Sequence, residues 1–177
     1  MACAATRETL TNIKADQMSA ATPCASWDVA GLVNHIVGAQ NFFLAGLTGM
    51  PPGEEVDYAA GDYVAEFDAA SAKLLEAFGA EGALEKTYTL PFGEMPGAAF
   101  MGLAATDTFQ HGWDVAKATG QSTDLNPELA AGILAQSRAA IQDSFRGPEG
   151  APFGSEQQAP EGATNADQLA AFLGRTV

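Results

Sequence analysis

Apolar residues recur three or four positions apart over most of the chain, and this spacing predicts helices. The clearest example is the segment at about 60–78, where one face carries Val64, Phe67, Leu74 and Phe78. Six helices are predicted in this way, at about residues 4–20, 27–47, 60–78, 98–119, 127–146 and 166–173.

Local signals mark where these helices begin and end. Pro23 holds Thr22 in an extended conformation, so the first helix must end before this pair. Ser26 is the predicted N-cap of the second helix, with Asp28 in its first turn, where an acid interacts favourably with the helix dipole. Asn126 is the predicted N-cap of the fifth helix because a proline follows it at the first helical position.

Two stretches interrupt the helical pattern. Thr87–Leu90 is β-prone and is followed by turn-forming prolines and glycines, which predicts a short strand or hairpin. Residues 147–163 are rich in Gly, Pro and Glu and are predicted to form a loop. The chain is therefore predicted to be mainly α, a four-helix bundle with a short β excursion and a C-terminal clasp helix. We expect a single domain over 1–177, with 147–177 as a tail packed on the bundle.

The charge balance excludes several classes of partner. The 177 residues include 8 Lys+Arg and 22 Asp+Glu, a net charge of −14. This disfavours nucleic acids and anionic membranes, because both are bound through cationic side chains. The stretch between Asp28 and Glu54 has no charged residue and is long enough to span a bilayer. It contains several polar side chains and no basic flank, so we predict a buried helix instead.

The two cysteines, Cys3 and Cys24, do not make a disulfide framework, and the first ten residues lack the pattern of a signal peptide. We therefore expect a cytoplasmic protein, either a monomer or a homodimer. Cys24 is open to two interpretations, a redox or metal-facing thiol and a small structural residue. Trp27, at the same corner before the second helix, is predicted to pack in the core.

The two histidines of the chain both fall within apolar helices. His111 follows Asp107 by four residues, which places both on one helix face, about 6 Å apart. Small residues one turn to either side of His35 leave space over its ring. Two imidazoles and one carboxylate are a common set for a catalytic divalent metal, since three protein ligands leave a position open. The alternative is a core histidine beside a buried Asp107–His111 ion pair.

Three blocks of sequence together resemble a known family. They are TPCASWDV at 22–29 followed by LVNH at 32–35, DTFQHGWD at 107–114 followed by AKATG at 116–120, and FG at 153–154 followed by DQLAAFLGR at 167–175. In this order they resemble the DinB-like metal-binding superfamily, and within it the actinobacterial branch related to mycothiol-dependent maleylpyruvate isomerases.

The resemblance implies one divalent metal ion held by a histidine of the second helix and a pair of ligands, four residues apart, on a later helix. These positions correspond to His35, Asp107 and His111. The isomerases carry Glu in place of Asp107, and the shorter side chain predicts a metal ion closer to the later helix. Zinc is the expected metal, and nickel, manganese and iron also suit these ligands.

The resemblance also implies a low-molecular-weight thiol of the mycothiol type as cosubstrate. The predicted function is then a thiol-dependent S-transferase or isomerase acting on a small electrophile. The alternative is a metal-binding sensor or interaction protein without turnover. The aromatic residues predicted to wall the site are Phe42, Phe43, Phe100, Phe109 and Trp113.

Further residues near these motifs have predicted roles. Asp114 either orients a metal ligand, or pairs with Lys117 or caps a neighbouring segment. Gly112 lies inside a helix, where glycine costs about 1 kcal/mol relative to alanine, and this predicts close packing by another segment. Arg138 and Arg146 are candidates for holding a substrate carboxylate.

Overall fold

The chain is mainly helical, as the sequence predicts. The computed structural model describes residues 1–51, 53–147 and 153–177. The helices over these residues are α1 Ala2–Thr11, α2 Val29–Thr48, α3 Tyr63–Gly79, α4 Gly97–Thr119, α5 Pro127–Ala140 and α6 Asn165–Phe172. The predicted hairpin is present between α3 and α4, where β1 Thr87–Leu90 pairs antiparallel with β2 Gly93–Pro96. Within the described ranges, no helix combines the length and apolarity required for a membrane span.

The first four helices form the bundle. α1 packs against α4, α4 against α2, α2 against α3, and α3 against α1, so the four helices close a ring. α5 and α6 pack on each other and on α4. The predicted bundle and its C-terminal clasp helix are therefore confirmed, and α4 is the helix that connects the two parts.

Three apolar clusters hold these helices together. The middle of the bundle is filled by aliphatic side chains of α2 with Phe67 and Val115. The hairpin-end cluster contains Phe43 and Phe100, whose ring centroids are 5.6 Å apart. The clasp cluster, between α4, α5 and α6, includes Trp113. Burying one large apolar side chain contributes about 1.5–3 kcal/mol, so the first two clusters fix α2 firmly against α4 and the third fixes α5 and α6 on α4.

Two predicted boundaries in the N-terminal part are wrong in detail. The predicted first helix runs to residue 20, but α1 ends at Thr11. Ile13 still packs against the core from the connection, which is why the apolar spacing continues beyond the helix. The N-cap of α2 is Asp28 rather than Ser26, since the Asp28 carboxylate accepts a hydrogen bond of 2.8 Å from the Gly31 N–H.

The boundaries of α5 are partly confirmed. Asn126 caps the helix and accepts a hydrogen bond of 3.2 Å from the Leu129 N–H, as predicted. The helix ends at Ala140 instead of residue 146, and Phe145, which the spacing assigned to its apolar face, is 46% exposed. Within the predicted loop, residues 148–152 lie outside the described residues.

Gly112 explains how closely α1 and α4 approach each other. A Cβ atom at this position would lie 3.1 Å from the Cα of Thr6, in the backbone of α1. Such a contact is too short without a shift of α1, so the predicted close packing at Gly112 is confirmed. The preceding residue, His111, is buried in the same helix.

Candidate metal centre

His35 of α2 meets Asp107 and His111 of α4 where the two helices pack, and we call these three residues the histidine cluster. The His35 Nε2 lies 3.5 Å from Asp107 Oδ1, and the His111 Nε2 lies 3.6 Å from the same oxygen. One donor atom from each residue lies within 4.8 Å of the other two. Ligand atoms that each bind zinc at about 2 Å are separated by similar distances, so one ion fits between them.

Asp114 fixes the orientation of His111. Its Oδ2 lies 3.0 Å from the His111 Nδ1, and the carboxylate is completely buried. Burial alone would raise the pKa of Asp114, but hydrogen bonds from His111 and Arg175 and their charges lower it. The ionised carboxylate only accepts hydrogen bonds, so the Nδ1 of His111 must carry a proton. In the neutral ring, the lone pair is then on Nε2, which faces Asp107.

Two buried atoms of the histidine cluster, His35 Nε2 and Asp107 Oδ2, have no hydrogen-bond partner among the described residues. A buried polar group without a partner costs about 1–3 kcal/mol. Burial alone would raise the pKa of Asp107, but contact with His35 and the charges of His111 and His35 lower it. A carboxylate in contact with two imidazoles, with buried atoms left unpaired, is an arrangement that a cation stabilises.

Trp27 is the aromatic neighbour of the two histidines. Its ring stacks on His35 with the centroids 4.4 Å apart, and its edge approaches His111 at 5.8 Å. Gly31, one turn before His35, makes room for it, since a Cβ there would lie 3.2 Å from Trp27. The Thr22 hydroxyl lies 2.8 Å from the Trp27 carbonyl oxygen and stabilises the corner. The predicted space over His35 is therefore filled by an indole that holds the imidazole in place.

The aromatic residues predicted to wall the site pack elsewhere. Phe42, Phe43 and Phe100 belong to the hairpin-end cluster, and Phe109 and Trp113 belong to the clasp cluster. A cavity of about 690 Å³ lies between α1 and the connection from α4 to α5, and no residue of the histidine cluster lines it.

Arg175 of the C-terminal tail also reaches this region. Its Nε and Nη2 donate to Oδ1 and Oδ2 of Asp114, each at 2.9 Å, and Nη2 lies 3.6 Å from the Cys24 Sγ. Cys24, His111 and Asp114 are thus a second group with the spacing of metal ligands. The guanidinium already supplies the positive charge there. Burial raises the pKa of the Cys24 thiol, so the structural interpretation of this cysteine is favoured.

The outcome for the other predicted charged residues is mixed. Asp114 contacts a predicted metal ligand, while Lys117 is exposed, so the orienting role of Asp114 is favoured. Arg146 donates to the carbonyl oxygens of Gly154 and Phe172 and does not reach the histidine cluster. Arg138 is exposed, with its guanidinium 5.9 Å from the Phe172 ring. Neither arginine is therefore placed to hold a substrate beside the cluster.

Two residues of the site were not predicted, Trp27 as a ring partner and Arg175 as the partner of Asp114. Arg175 and Asp114 are 61 positions apart in the chain, beyond the reach of helical periodicity. The available signal was Asp114 itself, because a buried acid on an apolar helix face requires a positively charged or hydrogen-bonding partner.

A helical bundle in which two imidazoles and a carboxylate converge from neighbouring helices has the features of a DinB-like protein. The family model for the mycothiol maleylpyruvate isomerase N-terminal domain matches residues 1–116, and the chain belongs to this family. The matched range contains the whole histidine cluster and Asp114.

Relatives in Mycobacterium tuberculosis extend this similarity to the tail. Two curated proteins, "Uncharacterized protein MT0763" of strain CDC 1551 / Oshkosh and "Uncharacterized protein Rv0738" of strain ATCC 25618 / H37Rv, are each 47% identical over 168 residues. The alignment covers 95% of this chain and 90% of either relative. No solved structure matches the chain significantly.

Proposed function

We propose that the protein binds one divalent metal ion, most simply zinc, through His35, Asp107 and His111. We further propose that it uses a low-molecular-weight thiol of the mycothiol type, either to transfer that thiol to a small electrophile or to isomerise the electrophile. The family description, which names mycothiol and maleylpyruvate, supports the class of thiol and of electrophile.

One observation carries the metal proposal. His35 Nε2 and Asp107 Oδ2 are buried without a hydrogen-bond partner among the described residues. The Nε2 atoms of His35 and His111 both lie within 3.6 Å of the other Asp107 oxygen, Oδ1, and Asp114 holds the His111 proton on Nδ1. An ion pair through Asp107 Oδ1 would still leave Asp107 Oδ2 without a partner, whereas a cation between the three residues would use these donor atoms. Three protein donors also leave room for a further ligand, as in catalytic zinc sites.

A bound metal ion would supply two kinds of chemistry here, a lower thiol pKa and Lewis-acid polarisation of the electrophile. The side chains of this protein hold the donors and leave an approach. His35 and Asp107 keep 29% and 23% of their side chains exposed, against 11% for His111. The thiol and the electrophile would therefore approach from the side of His35 and Asp107, while Trp27 and Asp114 fix the two imidazoles.

The metal content of the purified protein tests the first part of this proposal. We expect about one equivalent of zinc in the wild type and almost none in His111→Ala, measured by elemental analysis. Asp68→Ala is the matched control, because Asp68 is a half-exposed acid of α3 paired with Arg7 and is not a member of the cluster. Wild-type metal content in His111→Ala would rule out the site.

A metal-binding protein without turnover is the second candidate, and the position of the 690 Å³ cavity away from the histidine cluster favours it. Adding mycothiol to the cobalt-substituted protein separates the two. A new sulfur-to-cobalt charge-transfer band is expected if a coordination position is open, and screening of small electrophiles, maleylpyruvate included, would follow. A cobalt spectrum that mycothiol leaves unchanged would favour the non-catalytic candidate.

A further inference from the structure

We propose that Arg175 is a positioning residue for the metal ligand His111, acting through Asp114, so that metal binding and docking of the C-terminal tail stabilise each other. The proposal rests on the metal site proposed above. It assigns a role in that site to a residue outside the matched range 1–116.

The contacts form a chain from the tail to the ligand. Arg175 donates hydrogen bonds of 2.9 Å to both oxygens of Asp114. The Oδ2 of Asp114 in turn lies 3.0 Å from the Nδ1 of His111. Gln110 donates a further hydrogen bond of 3.3 Å to Oδ1. Each oxygen of this buried carboxylate therefore has two donors, and its orientation is fixed.

Arg175 is the cation that makes this arrangement possible. Asp114 is completely buried, and a buried carboxylate without a positive partner is strongly destabilised. The planar guanidinium pairs with both oxygens at once, which a lysine cannot do. Without Arg175, the carboxylate would lose two of its four donors, and the hydrogen bond that orients His111 would no longer be held in one geometry.

The backbone conformation of the tail positions Arg175 beside Asp114. After α6 the chain turns at Gly174, whose φ is +97° and whose Cβ, if present, would lie 2.6 Å from the Gly154 Cα. The Arg175 N–H then donates to the Ala170 carbonyl oxygen at 2.9 Å. Only glycine fits this turn without strain, so the direction of the Arg175 side chain is set by the fold of the tail.

A second arginine holds the same tail without contacting the site. Arg146 donates to the carbonyl oxygen of Phe172 at 2.7 Å and to that of Gly154 at 3.0 Å, and its guanidinium lies 4.4 Å from the Phe172 ring centroid. Arg146 therefore provides a matched control, because its loss weakens docking of the tail but leaves Asp114 and His111 untouched.

The test measures zinc affinity by competition with a chromophoric chelator, and thermal stability in EDTA, for Arg175→Met, Arg175→Lys and Arg146→Met. We expect Arg175→Met to weaken zinc binding about 10–100-fold, the usual effect of removing a partner that orients a ligand. Arg175→Lys should lie between this variant and the wild type, since lysine restores the charge but not the paired contact. Arg146→Met keeps the Arg175–Asp114 pair, so it should lose stability in EDTA but weaken zinc binding much less than Arg175→Met does.

Hydrogen exchange of residues 165–175 adds the reciprocal measurement. Zinc should slow exchange there in the wild type and have much less effect in Arg175→Met, because coupling between two sites acts equally in both directions. Equal zinc affinities in Arg175→Met and the wild type, or equal losses in Arg175→Met and Arg146→Met, would overturn the proposal. If Arg175→Met does not fold, Arg175→Lys against Arg146→Lys decides in the same way. Equal zinc binding by the wild type and His111→Ala would instead refute the metal site itself.

Discussion

Two polar clusters meet on α4, at Asp107 and Thr108, and they differ in whether all their buried polar atoms have hydrogen-bond partners. In the amide cluster, formed by Gln40, Thr108, Ser71 and Thr6, the Gln40 amide donates to the Thr108 hydroxyl at 2.9 Å and accepts from Ser71 at 3.5 Å. The Thr6 hydroxyl donates to the Thr108 carbonyl oxygen at 2.7 Å. The histidine cluster, whose Asp107 directly precedes Thr108, leaves two buried atoms unpaired.

This difference distinguishes buried polar groups that only stabilise the fold from those that are candidates for binding a ligand. Buried polar groups are normally hydrogen-bonded, and the amide cluster follows that rule with side chains from α1, α2, α3 and α4. The histidine cluster departs from the rule at the atoms that would bind a cation. Burial of a polar side chain in this bundle therefore does not by itself mark a candidate ligand, and the case for the histidine cluster rests on unpaired buried atoms together with two imidazoles and a carboxylate in contact.

Removing Asp107 should have the largest effect. We expect Asp107→Ala to weaken zinc binding at least about a hundredfold, or about 2.7 kcal/mol, since a ligand should count for more than the residues that orient it. The measurement is competition with a chromophoric chelator at constant pH. Thr108→Val, the adjacent residue in the amide cluster, is the control and should keep nearly wild-type affinity. A zinc affinity of Asp107→Ala within threefold of the wild type would abolish the distinction between the two clusters.

Breaking the amide cluster should affect stability instead. Gln40→Leu leaves Ser71 and Thr108 without their amide partner, and a buried group without a partner costs about 1–3 kcal/mol. We expect a loss of that size in the free energy of unfolding from urea denaturation in EDTA, with zinc affinity unchanged. Adding Thr108→Val should recover part of the loss, because removal of both partners is less costly than removal of one. A large fall in zinc affinity in Gln40→Leu would show that the two clusters act as one unit.

Local sequence signals were sufficient for most of the fold and for half of the site. The start of α5 followed from Asn126 and Pro127, and the Asp107–His111 pair followed from the four-residue spacing on α4. These features depend on residues within one or two helical turns of each other. The end of α1 could not be predicted in this way, because Ile13 continues the apolar spacing after the helix has ended.

The remainder of the site depends on contacts between distant parts of the chain. No pattern in α2 alone indicates that His35 faces α4. Its place in the predicted site came from its position among small residues in an apolar helix, together with the resemblance to a family. Arg175 pairs with Asp114 only because α6 packs on α4 and the chain turns back at Gly174. The predicted aromatic wall was wrong for the same reason, since helical spacing shows that a residue is buried but not which cluster it joins.

The smallest predicted effect concerns Gly112. This residue follows His111 in α4 and packs on Thr6 of the amide cluster. Gly112→Ala should lose about 1 kcal/mol, because overpacking costs about 1–3 kcal/mol and the gain in helix propensity returns about 1 kcal/mol. Gly132→Ala on α5 is the matched control. A Cβ there meets nothing within 4 Å, so the same substitution should stabilise the protein by about 1 kcal/mol. Urea denaturation of both variants checks the opposite signs, and a gain in both would mean that α1 does not press on α4 at this point.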